Sequence, residues 1–508
     1  MNYFVNENIF TLNSGTEFSA IKRLKLFHSQ GISAKILTRN YNSQLAGDLK
    51  RIDLNHNDIL NMYDYFQDIT DVEVRDMNVR YSSVIDKKTY HIEGIDANKS
   101  LIKHAGHIIG EVTIAPSTMG AIGSIDYYND MGEVVVKDIW DRRGFKSSTQ
   151  YFHPGEELGS QIFYDNNGKV KIEITHMNVN GVLQPTMYKL LDYKNKIYRF
   201  NSEQELFVFF MDELALKNES IFINDRISLV NAVSEVRNSK GKWQFLHSVY
   251  SKIFNPLGNE DVGSVYLKEL FRTLENKFDG VIVPTEEEAF DIKKTWELKN
   301  VIALPDTHAE QILKNDNIRR QKNKIIYVGR ISEEKNPAEI IEILKIVQQK
   351  IPNVIFEFYG YASSNNLQNN LQQLVEKYNL HKNVYFKGYQ VNEELHQALQ
   401  EASLFLNVSK NESFGMNILE AMTYGVPVIS YRVKYGVQKL IDTNINGSLV
   451  SFGSRKEAAK TIIDILENQE LQKKLSSAAE KKAIEFNADK VWEKWTNNNI
   501  SLNNLFTP

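Results

Sequence analysis

Lys324-Ile325-Ile326-Tyr327-Val328-Gly329-Arg330-Ile331-Ser332-Glu333-Glu334-Lys335-Asn336-Pro337 is a short apolar run, a glycine, a loop with two cations and the start of a helix. Lys324 to Val328 reads as a strand buried on both faces, ended by Gly329. Asn336 is expected to cap the next helix, with Pro337 in its first turn, where a missing N–H costs nothing. Ile340, Ile343, Leu344 and Val347 then recur at helical spacing and supply the buried stripe. Arg330 stands directly after the strand, where doubly wound sheets bind their ligands.

Outward toward the C-terminus the alternation continues. The pattern predicts strands at Val354 to Tyr359, Val384 to Tyr389, Leu404 to Val408 and Val426 to Tyr431. Helices are predicted between them at Leu367 to Tyr378, Glu393 to Ala402 and Phe414 to Tyr424, with further helices beyond. Strands alternating with helices mean a parallel, doubly wound sheet.

The same rhythm occurs in two separated pieces nearer the N-terminus. The first 70 residues hold a strand, a turn at Asn13-Ser14-Gly15, a helix with Phe18, Ile21, Leu24 and Phe27 on one face, and a strand at Lys35 to Thr38. After residue 203 it resumes, with strand candidates Ser220 to Asn224, Trp243 to His247, Gly280 to Val283 and Val301 to Leu304. Residues 75–202 interrupt it with a different texture. Tyr128-Asn129-Asp130-Met131-Gly132-Glu133-Val134 is echoed by Tyr164-Asp165-Asn166-Asn167-Gly168-Lys169-Val170, and more weakly by Asp192-Tyr193-Lys194-Asn195-Lys196. Asn, Asp and Gly between strand-forming runs are hairpin chemistry, because these residues tolerate positive φ. The expectation is an α/β chain of two Rossmann-like domains with an antiparallel insertion in the first. Its parts are residues 1–74 with 203–308, the insertion 75–202, a second domain 309–485, and a terminal helix in 486–508 that crosses back to the first.

Bulk properties narrow the function. The chain has 508 residues, no cysteine, and a formal charge of -4. Disulfide, thiolate and Cys-ligated zinc chemistry are excluded, and the lack of a general basic field argues against a nucleic-acid partner. Met1 to Glu7 lacks the basic segment and apolar run of a signal peptide, and the most apolar patch, Leu206 to Met211, is far short of the roughly 20 residues a membrane span needs. A cytoplasmic enzyme without a transmembrane segment is expected.

The strongest chemical signal is Glu412-Ser413-Phe414-Gly415-Met416-Asn417-Ile418-Leu419-Glu420, two glutamates separated by seven residues at a strand–turn–helix junction. Ser413 is placed to cap the helix, leaving the N–H groups of Phe414 and Gly415 aimed beyond the sheet edge. Glu420, further along that helix, can accept both hydroxyls of a ribose. Arg330 and Lys335 on the other loop suit a diphosphate, one as a fork and one as a point charge.

With GRxxxxK followed by E-x7-E, the sequence resembles the retaining glycosyltransferases of family four, which have the GT-B fold. The inserted sheet resembles the branch that modifies bacterial teichoic acids and adhesins. Asn13 to Ala20 and Tyr90 to Asn98 look closest to staphylococcal serine-aspartate-repeat glycosyltransferases. The resemblance implies that Gly329, Arg330 and Lys335 hold the donor diphosphate, with Gly15 admitting it from the opposite wall. It implies Glu412 and His247 at the donor sugar, Ser413, Phe414 and Gly415 beside it, Glu420 on the ribose, and Tyr361 and Tyr389 framing the uracil. Met416-Asn417 departs from the small residue often seen in the family, so this motif alone does not assign the sugar.

The implied reaction is transfer of GlcNAc from UDP-GlcNAc to serine hydroxyls of serine-aspartate-repeat or serine-rich adhesins, by front-face attack with retention. No metal cofactor is implied. Asp138-Ile139-Trp140-Asp141 falls in the insertion and reads as a strand end rather than a metal motif. Lys137, Trp140, Arg142, Arg143 and Lys146, together with Phe145, form the candidate track for an acidic acceptor. Poly(ribitol phosphate) wall teichoic acid is the alternative acceptor, and a non-catalytic acceptor-binding partner of an active transferase is the reading from another class. A sugar phosphorylase or synthase on the same fold is a further one. The edges of an antiparallel sheet also make the insertion a candidate homo-oligomerisation module.

Overall fold

Each of the two parallel sheets reverses its strand order at one point, and those two points face each other. A computed structural model describes residues 1–74, 79–250, 261–310 and 319–497. In the first sheet Asn2–Asn6 is an inner strand, with Ala34–Thr38 and Ile59–Asn61 on one side. Ile221–Asn224, Gly241–Phe245, Gly280–Val283 and Val301–Ala303 lie on the other, all parallel. The chain thus leaves the sheet after Ile59–Asn61 and returns beside its first strand about 160 residues later. In the second parallel sheet Lys324–Val328 is flanked by Ile355–Tyr359 and then Val384–Phe386 on one side. Leu404–Asn407, Val428–Tyr431 and Gly447–Val450 follow on the other. Its reversal lies between Lys324–Val328 and Leu404–Asn407, so the loops after these strands flank the crevice where such sheets bind ligands.

Burial follows the apolar runs. Phe4, Val5, Ile325 and Ile326 are fully buried, as two-sided coverage of a parallel strand requires. The stripe Ile340, Ile343, Leu344 and Val347 of the helix Pro337–Lys350 is buried as its spacing predicts. Asn336 differs from expectation. It adopts φ 57° and makes no side-chain cap bond, so it turns the chain into the helix rather than satisfying its amides. The short strands Ile59–Asn61 and Gly447–Val450 were not anticipated, being too brief to show a periodicity.

Between the two pieces of the first sheet stands a ten-stranded antiparallel meander, running in chain order from His91–Gly94 to Lys196–Phe200. The three echoed turns each join adjacent strands. Asn129 N–H bonds Glu133 C=O at 2.9 Å and Asp165 N–H bonds Lys169 C=O at 2.9 Å, while Tyr193 pairs with Lys196 across the third. The expected start of the insertion at 75 falls at residues 75–78, outside the described residues.

The helix Ala488–Asn497 crosses back. Trp492 and Trp495 pack edge-on against Phe27 of the first domain at 5.3 and 5.4 Å between ring centroids. The remainder of the expected terminal segment, 498–508, lies outside the described residues.

Candidate functional site

The helix Met416–Thr423 starts two residues later than the sequence suggested, because Gly415 sits at its N-cap with φ 92°. A side chain there would be strained and would press on Ile418 and Glu412. Ser413 is therefore too far back to cap. Its hydroxyl instead donates to Glu288 Oε2 at 2.8 Å, across to the first domain. Burial pushes the Glu288 carboxyl well above the usual carboxylate range. The amides of Phe414, Gly415 and Met416 bond no partner among the described residues, so the open donors at this turn survive the correction.

Asn417 ties this turn to the neighbouring strand, its Nδ2 donating to Val328 C=O at 2.8 Å. Gly329 follows Val328 with φ 142°, where a Cβ would meet the Tyr327 hydroxyl at 3.0 Å. That conformation swings Arg330 out of the strand direction, and its Nη2 reaches Glu334 at 2.8 Å with the side chain 43% exposed. Lys335 ends the tight turn Glu333–Lys335 and its Nζ lies 2.8 Å from Glu412. The structure thus joins Lys335 and Glu412, 77 residues apart, across the switch point.

The opposite wall comes from the first domain. Gly15 opens the helix Gly15–Ser29, and a Cβ on it would stand 3.9 Å from Met416 Sδ. Asn13 N–H donates to the Tyr389 hydroxyl at 3.1 Å, and Tyr361 and Tyr389 approach at 5.9 Å between ring centroids. Tyr389 therefore bridges the two domains. Glu420 lines a cavity of about 250 Å³ with Lys22, Thr307, His308 and Tyr424. Gly15 and Asn13 of the first domain thus approach Met416 and Tyr389 of the second, and Lys335 and Glu412 meet at the ends of the second sheet.

His247 has a more restrictive setting than expected. Nδ1 lies 2.6 Å from Asp306 and Nε2 2.9 Å from Asp225, so both ring nitrogens are committed. Arg23 Nη2 stands 2.6 Å from both oxygens of the same Asp225, and Asn6 donates to it at 3.1 Å. Burial opposes charge on the ring, but Asp306 and Asp225 outweigh it and raise the imidazole to about 9. With both nitrogens donating to carboxylates, the ring has no lone pair to act as a base. In this geometry it braces the ends of the strands beneath the site.

The residues of the expected acceptor track have different settings. Arg143 is buried at 5% exposure, bonded to Asp141, Asp64 and the Ile69 carbonyl, and so anchors the insertion to the first domain. Phe145 is buried with it. Lys137 pairs with Asp126 at 3.1 Å and Lys146 with Asp138 at 3.4 Å. Arg142 donates its backbone N–H to Ser43 C=O, and its side chain lies against Gly47. Trp140 is half-buried at the end of the strand Val134–Trp140. Lys137, Arg143 and Lys146 thus meet carboxylates brought in by sheet pairing and domain docking, which a linear charge run does not reveal.

Asp225, Asp306 and Glu288 are residues around the site that the sequence reading missed. Their partners lie far away in sequence, and no local motif marks them.

Residues 309–482 match the family model described as glycosyl transferases group 1. The poly(ribitol-phosphate) alpha-N-acetylglucosaminyltransferase of Staphylococcus aureus (strain COL) is 24% identical, over 95% of this chain and 96% of that protein. The UDP-N-acetylglucosamine–peptide N-acetylglucosaminyltransferase GtfA subunit of Streptococcus agalactiae is 22% identical, over 97% of each. The crystal structure of the pneumococcal O-GlcNAc transferase GtfA in complex with UDP and GlcNAc superposes with a TM-score of 0.83 at 18% identity, covering 100% of this chain and 99% of that one. Among the described residues no helix is long and apolar enough to cross a membrane. Both halves of the cleft, the matching segment and the full-length likeness converge: residues 309–482 match the group 1 glycosyl transferase model, and the chain as a whole has the GT-B fold of the glycosyltransferases it resembles.

Proposed function

We propose that the protein transfers GlcNAc from UDP-GlcNAc to serine hydroxyls of serine-aspartate-repeat or serine-rich surface proteins, with retention of configuration. The observation that carries this reading is the convergence of Arg330, Lys335 and Glu412 at the switch point of the second sheet, facing Gly15. Arg330 and Lys335 hold the diphosphate, and the open amides at Gly415 and Met416 add donors. Glu412 takes sugar hydroxyls and Glu420 the ribose. Attack occurs on the face from which the diphosphate leaves, and the departing phosphate accepts the proton of the serine hydroxyl. Glu412 is assigned to the sugar hydroxyls and not to the nucleophile that a double displacement requires on the far face of the sugar. Both relatives named above are N-acetylglucosaminyltransferases, which supports GlcNAc as the sugar.

Poly(ribitol phosphate) is the second reading of the acceptor, supported by the name of the staphylococcal relative. A Ser-Asp repeat peptide and poly(ribitol phosphate), each incubated with the enzyme and UDP-GlcNAc, separate the two. Sugar transfer to the peptide is expected. Transfer to the polymer alone overturns the protein acceptor, and no UDP release with either overturns the enzymatic reading. Metal is not required on this account, because Arg330 and Lys335 supply the positive charge. Turnover in EDTA should equal that in Mg²⁺, and a block that Mg²⁺ reverses contradicts it.

A further inference from the structure

Arg226 has no role in the account above, yet it stands at the switch point of the first sheet, as Arg330 does at that of the second. It stands two residues beyond the strand Ile221–Asn224, at the reversal of strand order in the N-terminal sheet. Asn224 holds its backbone, accepting from the Arg226 N–H at 3.3 Å and donating to its carbonyl at 2.8 Å. The neighbouring Asp225 is consumed by Arg23 and His247, so the two adjacent residues point to different tasks.

The Arg226 guanidinium pairs through Nη2 with Glu17, in the first turn of the helix that Gly15 opens. Glu17 is itself buried and fixed by the Ser14 N–H and hydroxyl at 2.8 Å each, so it is a rigid anchor. This pair commits one nitrogen. Nε is buried and makes no hydrogen bond among the described residues. A guanidinium has five N–H donors in a planar fork, suited to bridging a carboxylate and a phosphate together. The side chain is 25% exposed, so the fork is open on one side. Burial chiefly holds the Arg226 guanidinium below its ordinary range against the pull of Glu7, and the positive charge of Arg330 from the opposite domain adds to the lowering. That repulsion between like charges would be relieved by an anion between them.

We propose that Arg226 is a third cation of the donor site, contributed by the N-terminal domain, which contacts the diphosphate of the nucleotide on the side opposite Arg330. It rests on the donor reading of the cleft proposed above. Glu17 sets the orientation of the fork, and the diphosphate takes the donors that Glu17 leaves. The contact couples nucleotide binding to the spacing of the two domains, since Arg226 and Arg330 reach the same anion only when both domains present it.

Titration calorimetry of the full chain with UDP, and with uridine as the phosphate-free control, tests this in wild type, Arg226→Gln, Arg226→Lys, Glu17→Gln/Arg226→Gln and Arg330→Ala. Arg226→Gln should weaken UDP binding by at least about tenfold, the scale of one charge-assisted hydrogen bond, while uridine binds as to wild type. Arg226→Lys should lie between them and carries the test if Arg226→Gln does not fold. The double variant should stay as weak as Arg226→Gln. UDP affinity within twofold of wild type in Arg226→Gln overturns the proposal. So does full recovery in the double variant, which reduces Arg226 to neutralising Glu17. If Arg330→Ala also binds UDP normally, the donor reading itself has failed, and with it this contact; a loss confined to Arg330→Ala removes Arg226 alone.

Discussion

Lys335 and Glu412 sit 2.8 Å apart, and Arg330 is held by Glu334 from its own loop. These pairs restrain the cationic heads, which on the proposed donor role is preorganisation for a developing phosphate charge. Arg330→Ala and Lys335→Ala should each lower turnover by about 10²–10³ while the protein still melts cooperatively. Near-normal turnover of both purified variants contradicts the assignment. His247 makes a different prediction. Its folded value near 9 exceeds the ordinary 6.5, so its stabilisation is complete below about pH 6.5 and is lost as pH rises through about 9. The melting temperature should fall over that window, and His247→Gln should flatten the fall while lowering stability throughout. A wild-type profile unchanged by the substitution contradicts the brace. Arg330, Lys335, Glu412 and Glu420 were legible because each sits at a fixed offset from a strand or helix end. Asp225, Asp306 and Glu288 were not, since their meaning depends on strands and loops closing over gaps of 22, 59 and 125 residues.

At the scale of elements, the helix Met416–Thr423 and the insertion teach opposite lessons. The strand–turn–helix rhythm placed the helix, but its first residue depended on Gly415 taking positive φ, which no periodicity encodes. In the insertion the echoed Asn/Asp-Gly turns placed the hairpins, because turn chemistry is local. The charge cluster at 137–146 shows the converse, because its partners are not local. Lys137 and Lys146 meet carboxylates on adjacent strands, and Arg143 meets Asp64 of another domain. Burial pushes Asp64 up to about 7 even with Arg143 beside it, which marks how dry that junction is. Arg143→Leu strands Asp64 and Asp141 and should cost about 3–5 kcal/mol, read as a lower urea midpoint. Unchanged stability together with a raised acceptor KM would restore the acceptor role that the burial denies it.

For the whole molecule, the two parallel sheets are useful only if held in one arrangement. The helix Glu286–Trp296 of the first domain does much of this. Glu288 receives Ser413, Asp291 receives Lys434 and Tyr435 at 2.7 and 2.9 Å, and Glu286 pairs with Lys439 at 3.0 Å. On the far side Trp492 and Trp495 clamp Phe27. The two-domain plan with an antiparallel insertion was readable from alternation and its interruption. The contacts that set the domains against each other were not, because they join helix faces whose charged residues look solvated in isolation. A crystal structure with UDP bound tests the central claim most directly. The diphosphate should lie within about 3 Å of Arg330 and Lys335, opposite the Gly15 turn, with the ribose on Glu420. Nucleotide bound elsewhere, or bound with Arg330 and Lys335 turned to solvent, would contradict it.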